Sequence, residues 1–168
     1  MGNYESPLYD VLRKDGSIEV RKYHAFDTVA VSESKLSGYS GFGLLFSYIS
    51  GNNQNQSKMA MTIPVINDFE DDGMTMEFVV PSIYKDKSIP LPNHEHLKIK
   101  HYDEHTVCTI TFKGITTQKN IDRQTKKLRE WINKENLFEQ GRYRLARYNP
   151  PFSLPYLRRN EILIDLTD

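Results

Sequence analysis

The segment YDVLRKDGSIEVRKY, residues 9–23, has the pattern of an antiparallel β-hairpin. Apolar and polar residues alternate at 9–12 and again at 18–23, and the turn sequence KDG at 14–16 separates the two runs. Strands joined by so short a turn must pair antiparallel. The hairpin therefore favours a fold built on antiparallel strands, and residues 28–31 predict a third strand.

The next segment changes its period, which predicts a helix. Its apolar residues recur with helical spacing and share one face, formed by Phe42, Leu45, Phe46 and Ile49. Ser37 or Ser40 is the expected cap, and Gly51 is the expected end. Gly41 and Gly43 lie inside this helix, where they indicate either a weakened helix or a close packing approach.

The rest of the chain repeats this order of elements. Six further strands are predicted, at 59–66, 74–80, 97–102, 106–112, 142–148 and 161–166. The apolar positions of a second helix are Ile121, Leu128, Trp131 and Ile132. An acidic turn at 68–73 separates two of the strands. We therefore expect one α+β domain over residues 1–168, with two similar β-α-β halves at about 8–84 and 97–167 that form a curved sheet or distorted barrel.

Composition excludes several classes of function. The 168 residues carry 22 Lys plus Arg and 22 Asp plus Glu, so no net field is available to hold a nucleic acid or an anionic membrane. The chain has no apolar run of membrane-spanning length. Cys108 is the single cysteine, which is typical of a reducing compartment. We expect a cytoplasmic monomer with neither a nucleic-acid partner nor a membrane partner.

The sequence contains no recognisable catalytic motif. His94 and His96 have the spacing of two metal ligands, but a solvated loop is the better interpretation of that segment. Cys108 alternates with Ile110 and Phe112, which favours a core position over a nucleophile. A nucleophile elbow and a phosphate-binding loop are both missing. We therefore predict a protein that is not an enzyme and has no metal site.

Aromatic and thioether side chains predict an apolar groove. They lie on the first helix, on the predicted strand 59–66 and in the stiff segment NPPFSLPY at 149–156. The residues are Tyr39, Phe42, Phe46, Met59, Met61, Phe152 and Tyr156. Ordinary core packing is the alternative interpretation of the same residues.

Six strings resemble the SOUL/heme-binding protein family, in that family's order and over nearly the whole chain. They are IEVRKY (18–23), LFSYISGNN (45–53), KMAMTIPV (58–65), FVVPSIY (78–84), the Pro-x-Pro at 90–92, and YNPPFSLPYLRRNEI (148–162). The resemblance implies a distorted eight-stranded antiparallel barrel with two helices, a fold similar to the GyrI-like effector domains. It also implies reversible binding of heme or another tetrapyrrole in an apolar groove, and a role in buffering or trafficking heme.

The resemblance also indicates which groups would hold the iron and the carboxylates of heme. Where some relatives have a histidine proposed as an axial ligand, this chain has Lys22, and His24 follows on the same strand face. The cations available for the propionates are Lys58, Arg158 and Arg159, and Arg158 is the predicted partner. We expect weak or absent iron ligation, with most of the binding coming from apolar contact.

Three other functions compete with this hypothesis. A GyrI-like binder of small apolar or cationic molecules would use Glu161 as a buried counter-charge. A small hydrolase in the same cleft lacks an identifiable nucleophile and base. A protein-interaction module would depend on the proline segment alone.

Overall fold

The computed structural model describes residues 3–33, 39–70, 73–149 and 153–167, which form nine strands and two helices. The strands are β1 Tyr9–Asp15, β2 Ile18–Tyr23, β3 Phe26–Glu33, β4 Val65–Glu70, β5 Gly73–Val79, β6 Leu97–Tyr102, β7 His105–Lys113, β8 Glu139–Arg147 and β9 Arg159–Leu166. The helices are α1 Tyr39–Ile49 and α2 Gln118–Lys134. Two short 3-10 turns, Ser82–Tyr84 and Pro155–Leu157, lie between β5 and β6 and between β8 and β9.

The chain divides into two compact units with the same internal topology. Unit 1 comprises residues 1–7 and 25–103, and unit 2 comprises 8–24 and 104–168. The strand order is β6-β3-β5-β4 in unit 1 and β1-β2-β7-β9-β8 in unit 2, and neighbouring strands within each unit are antiparallel. Eight strands thus form two matching sets of four, and β1 is an additional strand. The predicted α+β class and the two similar halves are confirmed.

The core of unit 1 lies between α1 and one face of its sheet. Met76 and Phe78 of β5 and Val29 and Val31 of β3 alternate toward the helix and bury their side chains there. Gly41 leaves room for the Glu33 carboxylate, which a Cβ at this position would contact. That carboxylate accepts a hydrogen bond from the Gly41 amide at 2.9 Å, which satisfies an unpaired donor at the start of α1.

The loop after α1 is held by Asn53, a buried side chain that makes four hydrogen bonds. Its Nδ2 donates to the carbonyls of Tyr48 and Ser57, and its Oδ1 accepts from the amides of Asn55 and Ser57. Tyr48 donates its hydroxyl to the Pro90 carbonyl at 2.5 Å, so the helix is tied to the Pro-x-Pro segment. Gly51, at φ 119°, ends the helix as predicted.

The core of unit 2 is covered by α2. Thr117 caps this helix by accepting a hydrogen bond from the Asn120 amide, and Ile121, Leu128 and Ile132 are fully buried. Trp131 is half-buried and donates its indole N–H to Asp15 at 2.9 Å. Neither helix has both the length and the apolar character needed to cross a bilayer, as far as the described ranges go.

Three sequence predictions about unit 1 need correction or fall outside the description. The strand predicted at 59–66 begins only at Val65, because Pro64 has no N–H to donate and the preceding amides bond elsewhere, Met59 to the end of α1 and Ile63 to Glu5. The predicted acidic turn at 68–73 is also shorter, since Asp68 to Glu70 belong to β4. Ser40 lies inside the first turn of α1 and is not its cap. Ser37 lies outside the described residues.

The hairpin also groups differently from the prediction, which placed it with the first helix. Strand β2 pairs with β7 from Ile18 opposite Ile110 to Tyr23 opposite His105, so β1 and β2 belong to unit 2. Strand pairing is decided by contacts far apart in sequence, which local alternation does not reveal.

His101, on the edge strand β6, makes the stability of unit 1 depend on pH. Its Nδ1 lies 2.7 Å from Asp27 and its Nε2 3.1 Å from Asp103, and the Asp27 carboxylate raises the pKa of His101 above 6.5. Because the folded state holds the proton more tightly, this stabilisation is complete below pH 6.5 and is lost as pH rises through the raised pKa.

We expect His101→Gln to lower the melting temperature by about 2 °C at pH 6, the size typical of an exposed ion pair, and to have no effect at pH 9. Thermal unfolding at both pH values measures the difference. His96→Gln, another exposed histidine of unit 1, is the control. A decrease in melting temperature for His101→Gln that is equal at pH 6 and pH 9 would contradict the ion-pair explanation.

Candidate functional site

An exposed aromatic surface lies on α1. Phe42 packs edge-on against Phe78 with ring centroids 5.3 Å apart, which fixes its ring on the core. Phe46 stacks on Phe42 at 6.1 Å and an interplanar angle of 14°, yet remains 51% exposed. Met61 is half-buried against the same core. The structure therefore places Phe42 and Phe46 side by side on α1, while Met61 packs against the same core.

The other predicted groove residues are placed less uniformly. Met59 is buried in the core of unit 1. Tyr39 begins α1, but its side chain lies outside the described part of the chain, as does Phe152. In unit 2, Tyr156 is 67% exposed on the 3-10 turn, and Arg158 donates from Nε to the Ser153 carbonyl at 3.1 Å.

The groups considered as iron ligands already have partners. Lys22 Nζ lies 3.2 Å from Glu104, and His24 Nε2 lies 3.2 Å from Asp10. The rings of His94 and His96 are 5.1 Å apart, but no three metal-ligating side chains come together within the described ranges. Ligation of an iron by Lys22 Nζ or His24 Nε2 would therefore replace an exposed contact with a carboxylate.

Glu161 is the centre of a buried polar network in unit 2. Arg21 binds it with both arms of the guanidinium, Nη1 to Oε1 at 2.8 Å and Nη2 to Oε2 at 2.7 Å. Both side chains are almost fully buried. Tyr148 donates its hydroxyl at 2.6 Å, Thr111 at 3.1 Å, and Arg159 Nη2 at 2.9 Å. A bidentate pair with further donors is the arrangement that makes a buried carboxylate tolerable.

This network fixes the ionisation of Glu161. Burial alone would raise the pKa of the carboxyl, but the hydrogen bonds and charge of Arg21 outweigh it and lower the pKa to about 2. Burial and the Glu161 charge raise the pKa of Tyr148 well above its usual range. An external cation would have to displace the Arg21 guanidinium, so the structure gives no support to Glu161 as the counter-charge of a bound cation.

A second buried glutamate occupies the matching strand of unit 1. Glu77 of β5 accepts from Thr28 at 2.7 Å, from Tyr102 at 2.9 Å and from the Lys100 ammonium at 3.0 Å. Lys100 also donates to the buried Asp68 at 2.7 Å. Burial opposes the charge of Lys100, but Glu77 and Asp68 raise its pKa overall.

The two networks show a repeat that the sequence alone did not reveal. In each unit a cation stands two residues before a tyrosine on matching strands, Lys100 before Tyr102 on β6 and Arg21 before Tyr23 on β2. The two registers differ by two residues when the units are aligned on their buried glutamates. Lys100 lies opposite Thr28, two residues from the partner of Glu77, whereas Arg21 lies opposite Val107, four residues from the partner of Glu161. The sequence signal for this repeat is a basic residue two positions before a tyrosine. That pattern is too short to be recognised as a repeat until the strand pairing is known.

The interpretation of Cys108 as a core residue is confirmed. The thiol is fully buried on β7, and burial raises its pKa to about 12. A thiol held neutral in this way is a poor nucleophile.

Comparisons with known proteins agree with this architecture. The SOUL heme-binding protein family model matches residues 4–165. The chain is 28% identical to heme-binding protein 1 of Xenopus laevis, with 95% of this chain and 90% of the relative covered. It is also 28% identical to human heme-binding protein 2, with 88% and 77% covered.

A crystal structure described as a hydrolase from Listeria innocua superposes with a TM-score of 0.63 at 10% identity, covering 93% of this chain and 94% of the other. At that identity the likeness concerns the fold alone. The family model, by contrast, spans nearly every residue, including the paired Arg21 and Glu161. The chain therefore belongs to the SOUL heme-binding protein family.

Proposed function

We propose that this protein binds heme or a related tetrapyrrole reversibly and without a covalent link, and that it buffers or transports that ligand. The observation that carries the proposal is the aromatic surface of α1, where Phe46 is half-exposed although its ring is already aligned with that of Phe42. An ordered, exposed aromatic ring is suited to stacking on a planar ligand. Membership of the family supports the same ligand class.

The residues present fit the tetrapyrrole ring better than they fit the iron. Phe42, Phe46 and Met61 offer apolar contact, and the thioether of Met61 can adapt to the ligand surface. Lys22 Nζ and His24 Nε2 each contact an exposed carboxylate, and we expect weak or absent iron ligation by these two residues. A porphyrin of roughly 40 heavy atoms at ~0.3 kcal/mol each has a binding ceiling near −12 kcal/mol, so apolar contact alone can give micromolar affinity. The expectation that Tyr156 and Arg158 serve the same ligand stays a prediction.

A binding role suits the site better than a catalytic one. The Cys108 thiol is buried and held neutral, and His24 and His101 contact carboxylates at exposed positions. We therefore propose a carrier and not an enzyme. The cation-binding alternative is not favoured, because the Glu161 carboxylate is bound on both oxygens by Arg21.

Titration with hemin tests the proposal. We expect a Soret shift with a dissociation constant in the micromolar range, and a Phe46→Ala variant that binds about three to ten times more weakly because it loses one stacking contact. Phe138→Ala is the matched control, since Phe138 is 74% exposed and belongs to unit 2. No spectral change at tens of micromolar hemin would refute heme binding. Equal losses of hemin affinity in Phe46→Ala and Phe138→Ala would contradict a specific role of the α1 surface in binding.

A further inference from the structure

Large apolar side chains are exposed at one corner of unit 2, where β7 ends and β9 begins. The pairing of these strands continues past their ends through a hydrogen bond from the Gly114 amide to the Arg158 carbonyl at 3.0 Å. This bond brings the segment before α2 next to the 3-10 turn before β9. Four side chains, each more than half exposed, make up the apolar corner: Ile115, Leu154, Tyr156 and Leu157.

The backbone that carries these side chains is held by hydrogen bonds. The Leu157 amide donates to the Leu154 carbonyl at 3.0 Å and closes the 3-10 turn, in which Pro155 is the first residue. On the other segment, Asn120 of α2 donates from Nδ2 to the Ile115 carbonyl at 2.9 Å. Apolar residues that stay exposed on a hydrogen-bonded framework are typical of an interaction surface.

Unpaired lysines flank the apolar corner. Lys113 ends β7, and Lys119 lies in the first turn of α2. Both are exposed, and neither forms an ion pair with another described residue. The segments around the corner, 105–121 and 140–160, contain no Asp or Glu. The corner therefore combines apolar side chains with free positive charge.

The acidic residues nearest along the chain do not neutralise these lysines. Asp122, in the first turns of α2, accepts from Gln118 Nε2 at 2.8 Å. Glu161 is fully buried and binds the Arg21 guanidinium. Zero net charge for the whole chain is thus compatible with a basic local surface.

This combination matches the surface of an anionic lipid bilayer. Leucine and isoleucine side chains can enter the acyl boundary, a tyrosine ring suits the headgroup level, and lysines attract the lipid phosphates. A peptide that adds a strand is a poorer match, because Gly114 and Arg158 bond to each other and leave no free strand edge between them.

We propose that the apolar corner docks unit 2 on a membrane surface that carries anionic lipids. The inference differs from the expectation drawn from net charge, because net charge describes the whole chain and not its distribution. It assigns Tyr156 to the lipid headgroups, in place of the groove that the family resemblance implies. It goes beyond the proposed function and requires no bound tetrapyrrole.

Flotation with lipid vesicles tests the inference without any porphyrin. We expect the wild-type protein to bind vesicles of phosphatidylcholine with about 30% phosphatidylserine at low salt, with a partition coefficient about ten times that for pure phosphatidylcholine or more. The double variant Leu154→Ser/Leu157→Ser should lower partitioning to the anionic vesicles about tenfold. Lys113→Gln and Lys119→Gln should each lower it about fivefold.

Two substitutions elsewhere in unit 2 are the matched controls. Phe138→Ser removes an exposed apolar side chain from the loop after α2, and Lys134→Gln removes one positive charge from the last turn of α2. Neither should change partitioning by more than about twofold.

Several results would overturn the inference. They include no binding to the anionic vesicles, and equal partitioning with and without phosphatidylserine. Unchanged partitioning of the double leucine variant would show a purely electrostatic contact, and equal losses in the controls would show an unspecific one. A dimer in sedimentation velocity that the double leucine variant abolishes would assign the apolar corner to a second copy of this chain. Each of these results would leave the proposed function standing, because the measurement involves no tetrapyrrole.

Discussion

Glu161→Gln is expected to lower the free energy of unfolding by about 3 kcal/mol at pH 7. The substitution keeps the shape of the side chain but removes the charge, so the buried Arg21 guanidinium loses its bidentate partner. The size follows from the pKa of Glu161, which falls from 4.5 to about 2 on folding, at about 1.4 kcal/mol per unit. Urea unfolding of the wild type and the variant measures the difference.

The dependence on pH separates this ion pair from a general packing defect. A carboxyl whose pKa is lowered by folding contributes fully above its unfolded pKa of 4.5, and the contribution disappears as pH falls toward about 2. The difference in the free energy of unfolding between the wild type and Glu161→Gln should therefore become steadily smaller as pH falls from 4.5 to 2. Glu139→Gln, which removes a half-exposed pair with Arg129, should cost under about 1 kcal/mol. A gap that is constant with pH would argue against the charge as the cause.

Lys100→Met is expected to destabilise unit 1 by about 3–5 kcal/mol. It leaves Asp68 and Glu77, which are 1% and 0% exposed, close together in the interior without the ammonium that they share. Lys100→Arg should recover most of this loss, since a guanidinium can reach both carboxylates. Chemical unfolding followed by circular dichroism is a suitable measurement.

Strand β6 provides a close control for this prediction. Lys98 stands two residues before Lys100 on the same face of the strand, but it is exposed. Lys98→Met should change the free energy of unfolding by less than about 0.5 kcal/mol. Comparable losses at the two positions would mean that the buried network contributes nothing beyond the lysine side chains themselves.

Much of the fold follows from local pattern. The period of 2 in β2 and the period of 3.6 in α1 are visible in any window of the sequence, and β6 agrees with its predicted bounds at 97–102. The two matching halves also follow from the order of elements. Prediction failed where a backbone group bonds to a distant segment, as at Ile63, whose amide donates to Glu5.

The candidate site was only partly predictable for a related reason. Phe42, Phe46 and Met61 are candidates from the sequence, because aromatic and thioether residues on and near a helix indicate an apolar surface. Arg21 and Glu161 stand 140 residues apart, and only the pairing of β2, β7 and β9 brings them together. Sequence spacing alone does not reveal that contact, so the sequence offers Glu161 only as the counter-charge of the alternative, cation-binding function.

Cys108 can report on the local opening of unit 2. The chain has no other cysteine, and this thiol is fully buried on β7, the central strand of its sheet, which pairs with β2 and β9. A maleimide or iodoacetamide reagent can reach the sulfur only when the packing that buries this face of β7 opens. The rate of alkylation, followed by mass spectrometry with and without a porphyrin, would therefore count opening events of unit 2 directly and without any engineered label.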